Sequence, residues 1–264
     1  MMSQVTAPDA LPEPVSAQAP ALQGHQIMHQ RWEDVAFLHW RVEPERVAPL
    51  LPPGIRPDVF DGSSWVGLIP FRMVGAGPLS APSAPWLGTF AETNVRLYSV
   101  DRSGRRGVVF RSLETSRLAI VFGARAAFGV PYCWAKMQVR RRGDDIEYTS
   151  SRRWPGGRGV SSHVVVRPEA AVVRGDPLAD FLTARWGLHS RWAGRSLFVP
   201  NSHETWPLQS ATLLHLRDDL VAAAGLPGVT EGPPESVLWS AGVRSVFGTP
   251  FDHERRSRTP AARK

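Results

Sequence analysis

The segment FAETNVRLYSVD, residues 90–101, alternates polar and apolar side chains over most of its length. The polar side of this alternation carries Glu92, Asn94, Arg96 and Tyr98. A period of two residues is typical of a β-strand with one buried face. The polar face either meets solvent, as in many antiparallel sheets, or lines a polar lumen. Four different functional groups on one face make it the first candidate for a ligand-binding surface.

A second amphipathic strand is predicted for YCWAKMQV, residues 132–139, with Tyr132, Trp134 and Lys136 on one face. Apart from Lys264 at the end of the chain, Lys136 is the only lysine. Two interpretations stand for this amine. It is a surface cation, which needs no special explanation, or it is a reactive group that serves catalysis.

The segment between these strands, LAIVFGARAAF at residues 118–128, has an alanine-rich composition that predicts a helix. Thr115 or Ser116 can cap its start and Gly129 can end it. A buried strand is the competing interpretation of its first half. Arg125 lies inside this apolar run, and a buried arginine requires a partner. It either binds an anionic ligand or pairs with Glu92, and the sequence favours the pairing.

The motif HETWP, residues 203–207, offers a further candidate. His203 can act as a general acid or base, together with Glu92, or it can be a structural turn histidine. Trp206 is a candidate for the wall of a cavity. Cys133 falls on the apolar face of its strand, which predicts an inert core thiol.

The rest of the chain reads as short strands separated by turns, with few helices. WEDVAFLHWRV and SSWVGLIPFRMVG predict strands, and Pro70 in the second predicts an edge or a bulge. DPLADFLTARWG predicts a helix that is capped by Asp176 and ended by Gly187. The pattern predicts an α+β fold, mainly antiparallel β, bent or closed into a barrel with a few outer helices.

Three segments are predicted along the chain. Residues 1–24 are rich in Ala, Pro, Gln and Ser without periodicity, which predicts a disordered leader. Residues 25–251 form a single domain, and residues 252–264 form a basic flexible tail.

Composition narrows the classes of function. The chain has 264 residues, 42% hydrophobic and 21% charged, as in ordinary globular proteins. No apolar run reaches the ~18 residues of a membrane span, and the start of the chain does not resemble a secretion signal. A single cysteine fits a reducing, cytoplasmic location. Homo-oligomerisation stays open.

The net charge of +7 favours anionic partners. Nucleic acid is one such partner, through Arg140–Arg142 and Arg152–Arg153, although no nucleic-acid-binding motif accompanies them. Metal binding is not expected, because His25 and His29 lie beside the leader and there is no second cysteine. No phosphate-binding loop or other cofactor motif is found.

Several motifs together resemble one family. LHWRVEPERVAPLLPPGI, FDGSSWVGLIPF, FAETNVRLYSVD, GVPYCWAKM, HETWPLQSA and SAGVRSVFGTP are similar to the uncharacterised YqjF-type family, over about residues 29–250. That family in turn resembles the acetoacetate decarboxylase-like superfamily. The superfamily resemblance implies a cone-like β-barrel around a small-ligand cavity.

The resemblance fails at the position that matters for mechanism. In the decarboxylases a proline is followed by two lysines, one of which forms a Schiff base, whereas here Pro131 is followed by Tyr132 and Cys133. Lys136 lies four residues beyond Tyr132, roughly 13 Å along a strand. A Schiff base needs an amine nucleophile, so decarboxylase activity is not carried over.

Three hypotheses of function follow. The first and favoured one is a cavity that binds a small organic acid or carbonyl compound without a cofactor, using Asn94, Arg96, Tyr98, Arg125, Tyr132 and Trp206. The second is a lyase- or isomerase-type enzyme that uses Lys136, or Glu92 with His203. The third is a basic protein associated with nucleic acid.

Overall fold

The computed structural model describes residues 9–78, 87–156 and 159–252. These residues form thirteen strands and four α-helices. The strands are β1 (Gln26–Val42), β2 (Ile55–Pro57), β3 (Ser64–Pro78), β4 (Phe90–Asp101), β5 (Arg106–Thr115), β6 (Tyr132–Arg142), β7 (Asp145–Trp154), β8 (Ser161–Val172), β9 (Gly187–Trp192), β10 (Arg195–His203), β11 (Leu208–Asp218), β12 (Ser236–Gly248) and β13 (Phe251–Asp252). The helices are α1 (Pro44–Val47), α2 (Leu118–Phe128), α3 (Pro177–Thr183) and α4 (Leu220–Ala223).

The end of α2 and the start of α3 lie where the sequence predicts, whereas α3 ends at Thr183, before the predicted Gly187. The α2 helix stops at Gly129, whose φ of 64° is the left-handed conformation that glycine adopts without strain. The α3 helix starts at Pro177, and the Asp176 carboxylate accepts hydrogen bonds from the backbone N–H groups of Leu178 and Ala179. The α2 N-cap is Arg117, without a side-chain cap, so the predicted capping by Thr115 or Ser116 is wrong.

All thirteen strands belong to one sheet, which pairs back onto itself in two places. The neighbours β4–β3–β1–β12 are shared by two partly closed rings. One ring runs on through β11, β8, β7 and β6 to β5, and the other through β10 and β9 to β5. The mainly antiparallel ring arrangement with few helices confirms the predicted fold class.

The β4 strand lies in the wall between the two rings, so both of its faces are buried. Val95 and Leu97 pack into one apolar core with Leu38 and Leu68. Tyr98, on the opposite face, belongs to a second core. Of the two alternatives for the polar face, solvent or a lumen, the structure has the second, because each ring encloses one side of β4. The polar side chains therefore point into the interior of the smaller ring.

The part of the predicted leader that the structure describes, residues 9–24, contains no helix or strand but lies against the body. The backbone N–H of Ala10 donates to the carbonyl of Arg102 at 2.9 Å, and that of Glu13 to the carbonyl of Gly104 at 2.8 Å. The Trp186 indole N–H donates to the carbonyl oxygen of Ser16 at 3.0 Å. The predicted tail lies outside the described residues, except for Asp252 in β13.

Within the described parts of the chain, no helix is long and apolar enough to cross a membrane.

Candidate functional site

The smaller ring encloses a cavity of about 320 Å³. Side chains from β1, β3, β4 and β5 form its walls, and α2 and Trp206 cover further sides. Most of the lining is apolar, with Phe37, Ile69, Phe71 and Leu113 prominent. Ligand pockets commonly combine an apolar lining with a few placed polar groups. The polar groups here come mainly from the β4 face singled out by the sequence.

Glu92, Asn94 and Arg96 all line the cavity, spaced two residues apart along β4. Tyr132 and Trp206 line it as well. The structure thus brings together five of the nine predicted site residues around one enclosed space.

Glu92 is a buried carboxyl without a cationic partner among the described residues. Its side chain is 3% exposed, and the Tyr132 hydroxyl donates to Oε2 at 3.0 Å. Burial raises the pKa of Glu92 to about 8, an effect that the hydrogen bond from Tyr132 partly opposes. Burial and the neighbouring Glu92 raise the pKa of Tyr132 well above its usual value. With both groups protonated at neutral pH, Tyr132 donates to Glu92, and the Glu92 carboxyl O–H is left as the hydrogen-bond donor of the pair.

Arg96 carries a positive charge at the other end of this polar stripe. Its Nη2 donates to the carbonyl of Leu182 at 2.8 Å, and its Nε donates to the Tyr98 hydroxyl at 3.1 Å. The guanidinium also lies 5.7 Å from the centroid of the Phe37 ring. None of the ion pairs among the described residues includes Arg96. A guanidinium that lines a cavity without a carboxylate can bind an anion.

Tyr98 lies behind Arg96 and holds it in place. The Tyr98 hydroxyl is 2.7 Å from His39 Nε2 and 2.9 Å from the carbonyl oxygen of Leu182. Burial, with the nearby Arg96 and Arg185, lowers the pKa of His39 well below its usual value. A neutral His39 that donates from Nε2 allows the Tyr98 hydroxyl to accept from both His39 and Arg96 while donating to Leu182. Tyr98 therefore supports the site without lining the cavity.

Asn94 lies midway between Glu92 and Arg96. It is 5% exposed, and its Oδ1 atom has no hydrogen-bond partner in the described structure. The indole N–H of Trp32, another lining residue, is also without a partner there. Buried polar atoms are normally paired, so these two groups mark positions where a ligand can bond.

Two predicted residues lie elsewhere on α2 and β6. Lys136 is exposed on β6, beyond the part of the strand that borders the cavity. Arg125 Nη1 donates to the carbonyl of Tyr132 at 2.6 Å, and its guanidinium stacks on Trp154 at 5.4 Å. The expected pairing of Arg125 with Glu92 is therefore wrong, since Glu92 is bonded by the Tyr132 hydroxyl instead.

His203 is packed among tryptophans and is not on the cavity wall. Its Nδ1 is 2.7 Å from the carbonyl oxygen of Glu204, and its ring lies 4.4 Å from Trp186 and 5.0 Å from Trp206, centroid to centroid. Burial lowers the pKa of His203 to about 4, which leaves the ring neutral at physiological pH. The hypothesised Glu92–His203 pair is not formed: among the described residues Glu92 bonds to Tyr132 and His203 bonds to Glu204, and His203 does not line the cavity.

Some arginines of the basic segments form ion pairs within the fold, and the thiol is buried. Arg142 pairs with Glu147 at 3.0 Å, and Arg152 pairs with the buried Glu114 at 2.5 Å. Cys133 is buried, and burial raises the pKa of its thiol to about 11. No group of metal-ligating side chains is found in the residues that the structure describes.

Sequence reasoning missed most of the apolar lining, including Phe37, Ile69 and Phe110. These positions are ordinary core residues in the sequence, and only the pairing of their strands shows which of them face an empty space. Trp32 also escaped notice, although a tryptophan beside charged residues within a strand was a usable signal.

Comparisons with known proteins agree with this architecture. Residues 29–244 match the model of a family described as an uncharacterized conserved protein, DUF2071. Over 190 residues the chain is 32% identical to the uncharacterized protein YqjF of Bacillus subtilis, covering 71% of this chain and 77% of that protein.

Solved structures with a similar fold are far more distant in sequence. An acetoacetate decarboxylase-like enzyme from Sphingomonas wittichii has a TM-score of 0.61 at 12% identity, covering 86% of this chain and 94% of that one. Acetoacetate decarboxylase from Legionella pneumophila has a TM-score of 0.60 at 11% identity, covering 87% and 95%. The enduracididine biosynthesis enzyme MppR, complexed with pyruvate, has a TM-score of 0.57 at 15% identity, covering 93% and 98%. At these identities the likeness concerns the fold alone.

Proposed function

The chain belongs to the DUF2071 family with an acetoacetate decarboxylase-like fold, and we propose that its cavity binds a small organic acid or carbonyl compound. The carboxylate of the ligand binds the Arg96 guanidinium. The apolar walls hold the rest of the ligand, and Asn94 and Glu92 provide hydrogen bonds that fix its orientation.

The observation that carries this proposal is the unpaired charge of Arg96. Arg96 is half-buried, so its charge loses part of its hydration, and a carboxylate can compensate for that loss. Arg96 instead has two neutral oxygens as hydrogen-bond acceptors, on Tyr98 and Leu182, and faces an enclosed space. Bound pyruvate in the structural neighbour MppR is compatible with an acidic ligand in a cavity of this fold.

The proposal includes no Schiff base. Tyr132 and Cys133 stand at the positions of the decarboxylase lysines, and the Lys136 amine is exposed on β6 away from the lining. The buried thiol of Cys133 supports the further proposal of a reducing, cytoplasmic location.

A second candidate function rests on Glu92. A carboxyl with a pKa of about 8 inside a cavity is suited to general acid or base catalysis near neutral pH. Such an enzyme would transfer a proton to or from a bound acid, with Tyr132 holding Glu92 in position. Deuterium exchange into a bound oxo acid, followed by NMR, tests this candidate. Exchange that disappears in Glu92→Gln supports it, and absence of enzyme-dependent exchange contradicts it.

Ligand binding is tested by thermal shift and calorimetry with a panel of small carboxylates, on the wild type and on Arg96→Met. Loss of the charge-assisted hydrogen bonds is expected to weaken binding roughly 10- to 100-fold. Arg111→Met is the matched control, because Arg111 also donates to neutral oxygens, the carbonyls of Leu50 and Ala224, but does not line the cavity. The proposal is wrong if no carboxylate binds the wild type, or if both variants bind equally well.

A further inference from the structure

Building on the proposed function, we infer that the ligand is elongated and carries a second polar group, a neutral hydrogen-bond acceptor such as a ketone, distant from its carboxylate. The carboxylate binds Arg96, and the acceptor binds the Glu92–Tyr132 pair at the opposite end of the cavity. The ligand class is therefore a medium-length oxo acid with its carbonyl far from the carboxylate, and not a 2-oxo acid.

The spacing along β4 is the first support. Glu92, Asn94 and Arg96 pair with Phe71, Ile69 and Gly67 of β3 in an unbroken register. At about 3.3 Å per residue, the Cα atoms of Glu92 and Arg96 are roughly 13 Å apart.

The Glu92 and Arg96 side chains stand on the same face of β4, roughly perpendicular to the sheet. Arg96 Nε bonds to Tyr98, which is two residues further from Glu92 along β4, and its Nη2 bonds to Leu182, at the end of α3. Glu92 bonds to Tyr132, which pairs with Leu113 and is thereby level with Asn94. Both side chains therefore lean in the same direction along β4, and their functional groups keep about the separation of the Cα atoms. After a hydrogen bond of about 2.9 Å at each end, a ligand that reaches both groups spans roughly 7 Å.

A 2-oxo acid cannot span this distance, because its ketone and carboxylate carbons are adjacent and about 1.5 Å apart. The cavity between the two ends is apolar, with Phe37, Ile69 and Leu113 on its walls. Its volume of about 320 Å³ equals the liquid volume of roughly ten water molecules, at about 30 Å³ each. A chain of methylene groups fills this space and buries apolar surface.

Chemistry at the Glu92 end favours a neutral acceptor. The Tyr132 hydroxyl donates to Glu92 Oε2, and Oε1 has no partner among the described residues. A protonated carboxyl in this arrangement presents its O–H from Oε1 to the cavity and donates to a carbonyl oxygen. A ligand ammonium would create a second buried charge among apolar side chains, which costs free energy unless it is well compensated.

The experiment measures dissociation constants by calorimetry for pyruvate, 4-oxopentanoate, 6-oxoheptanoate and 8-oxononanoate. Each is compared with the fatty acid of equal chain length that lacks the ketone. Wild type, Glu92→Gln and Glu92→Met are used, with circular dichroism to show that each variant is folded. The glutamine amide retains a neutral donor, whereas the methionine does not.

The expected result is a maximum of affinity at 6-oxoheptanoate or 8-oxononanoate, with the ketone improving binding roughly three- to tenfold, the range of a neutral hydrogen bond. This advantage is retained in Glu92→Gln and lost in Glu92→Met. If acids bind but the ketone or its position has no effect, the inference is overturned while the proposed function stands. If 7-aminoheptanoate binds more tightly than 6-oxoheptanoate, and this advantage in affinity is lost in Glu92→Gln, the inference of a neutral acceptor is overturned and the second group of the ligand is a cation. If no acid binds, the proposed function itself fails.

Discussion

Replacing Glu92 by glutamine should make the protein more resistant to a rise in pH. Glu92 has a folded-state pKa of about 8, against its ordinary value of 4.5, because burial disfavours the carboxylate. Between these two pH values the unfolded chain releases the proton that the folded protein retains. The contribution of Glu92 to stability is therefore complete below about pH 4.5 and falls as the pH rises toward about 8.

The magnitude follows from the size of the shift. Each pH unit in this window costs about 1.4 kcal/mol, so the full range costs about 5 kcal/mol, an order-of-magnitude figure. Glutamine has nearly the same shape, still accepts the hydrogen bond from Tyr132, and does not titrate. The free energy of unfolding of Glu92→Gln relative to wild type should thus increase by about 3 kcal/mol between pH 5 and pH 7.

Urea unfolding at half-unit pH steps measures this difference. Other titrating groups are common to both proteins and cancel in the comparison. Glu45→Gln, the same substitution at an exposed position of α1, is the control for the change of residue type. If the Glu92→Gln difference does not change with pH, then Glu92 is ionised in the folded protein and the description of Glu92 as a neutral donor is wrong.

Three further predictions test the fold and the site. Gly242→Ala should reduce the free energy of unfolding by about 3 kcal/mol or more, because φ is +127° and a Cβ would lie 1.9 Å from the carbonyl oxygen of Trp32. The control is Gly143→Ala, where φ is +61° and a Cβ would have no atom within 4 Å. It should reduce the free energy of unfolding by only about 1 kcal/mol in the same urea titration. Asp176→Ala should cost about 1 kcal/mol through loss of the α3 cap, and an unchanged unfolding midpoint would contradict this role. Lys136→Met should leave the ligand-induced thermal shift unchanged, since the amine is exposed outside the cavity lining. Loss of the thermal shift in this variant would show that Lys136 takes part in ligand binding.

Local patterns in the sequence predicted the parts of the fold that local physics determines. The alternation in residues 90–101 indicated β4 because neighbouring side chains on a strand point to opposite sides. Gly129 ended α2 through a left-handed conformation, and Asp176 capped α3 through its carboxylate. Pro70 lies where the pairing of β1 with β3 is irregular, between the pairs Glu33–Arg72 and Leu38–Leu68. The extra residue of this bulge is on β1, opposite Pro70, and β3 is not an edge strand.

Contacts between distant segments could not be predicted from such patterns. Tyr132 reaches Glu92 because β6 pairs with β5 in parallel, through Leu113 and Tyr132, after the chain has passed through α2. Periodicity gives no information on that pairing. It correctly grouped Lys136 with Tyr132 on one face of β6, but it could not show that the cavity ends before Lys136 is reached. Arg125 and Glu92 each bond to Tyr132 and not to each other for the same reason, because periodicity does not show which segments meet.

Where the resemblance to the decarboxylases implies a lysine after Pro131, this chain has Tyr132, and the cavity is retained. Tyr132 lines the cavity, whereas Cys133 faces the opposite side, so the first of the two positions is the one that can meet a ligand. A lysine there could attack a carbonyl carbon through its amine. A tyrosine whose pKa is raised well above its usual value remains protonated and can only donate a hydrogen bond, here to Glu92. Under the proposed function, a ligand carbonyl at this end accepts a hydrogen bond from the protonated Glu92 and meets no nucleophilic amine, so proton transfer by Glu92 is the reaction that we propose for this end of the cavity.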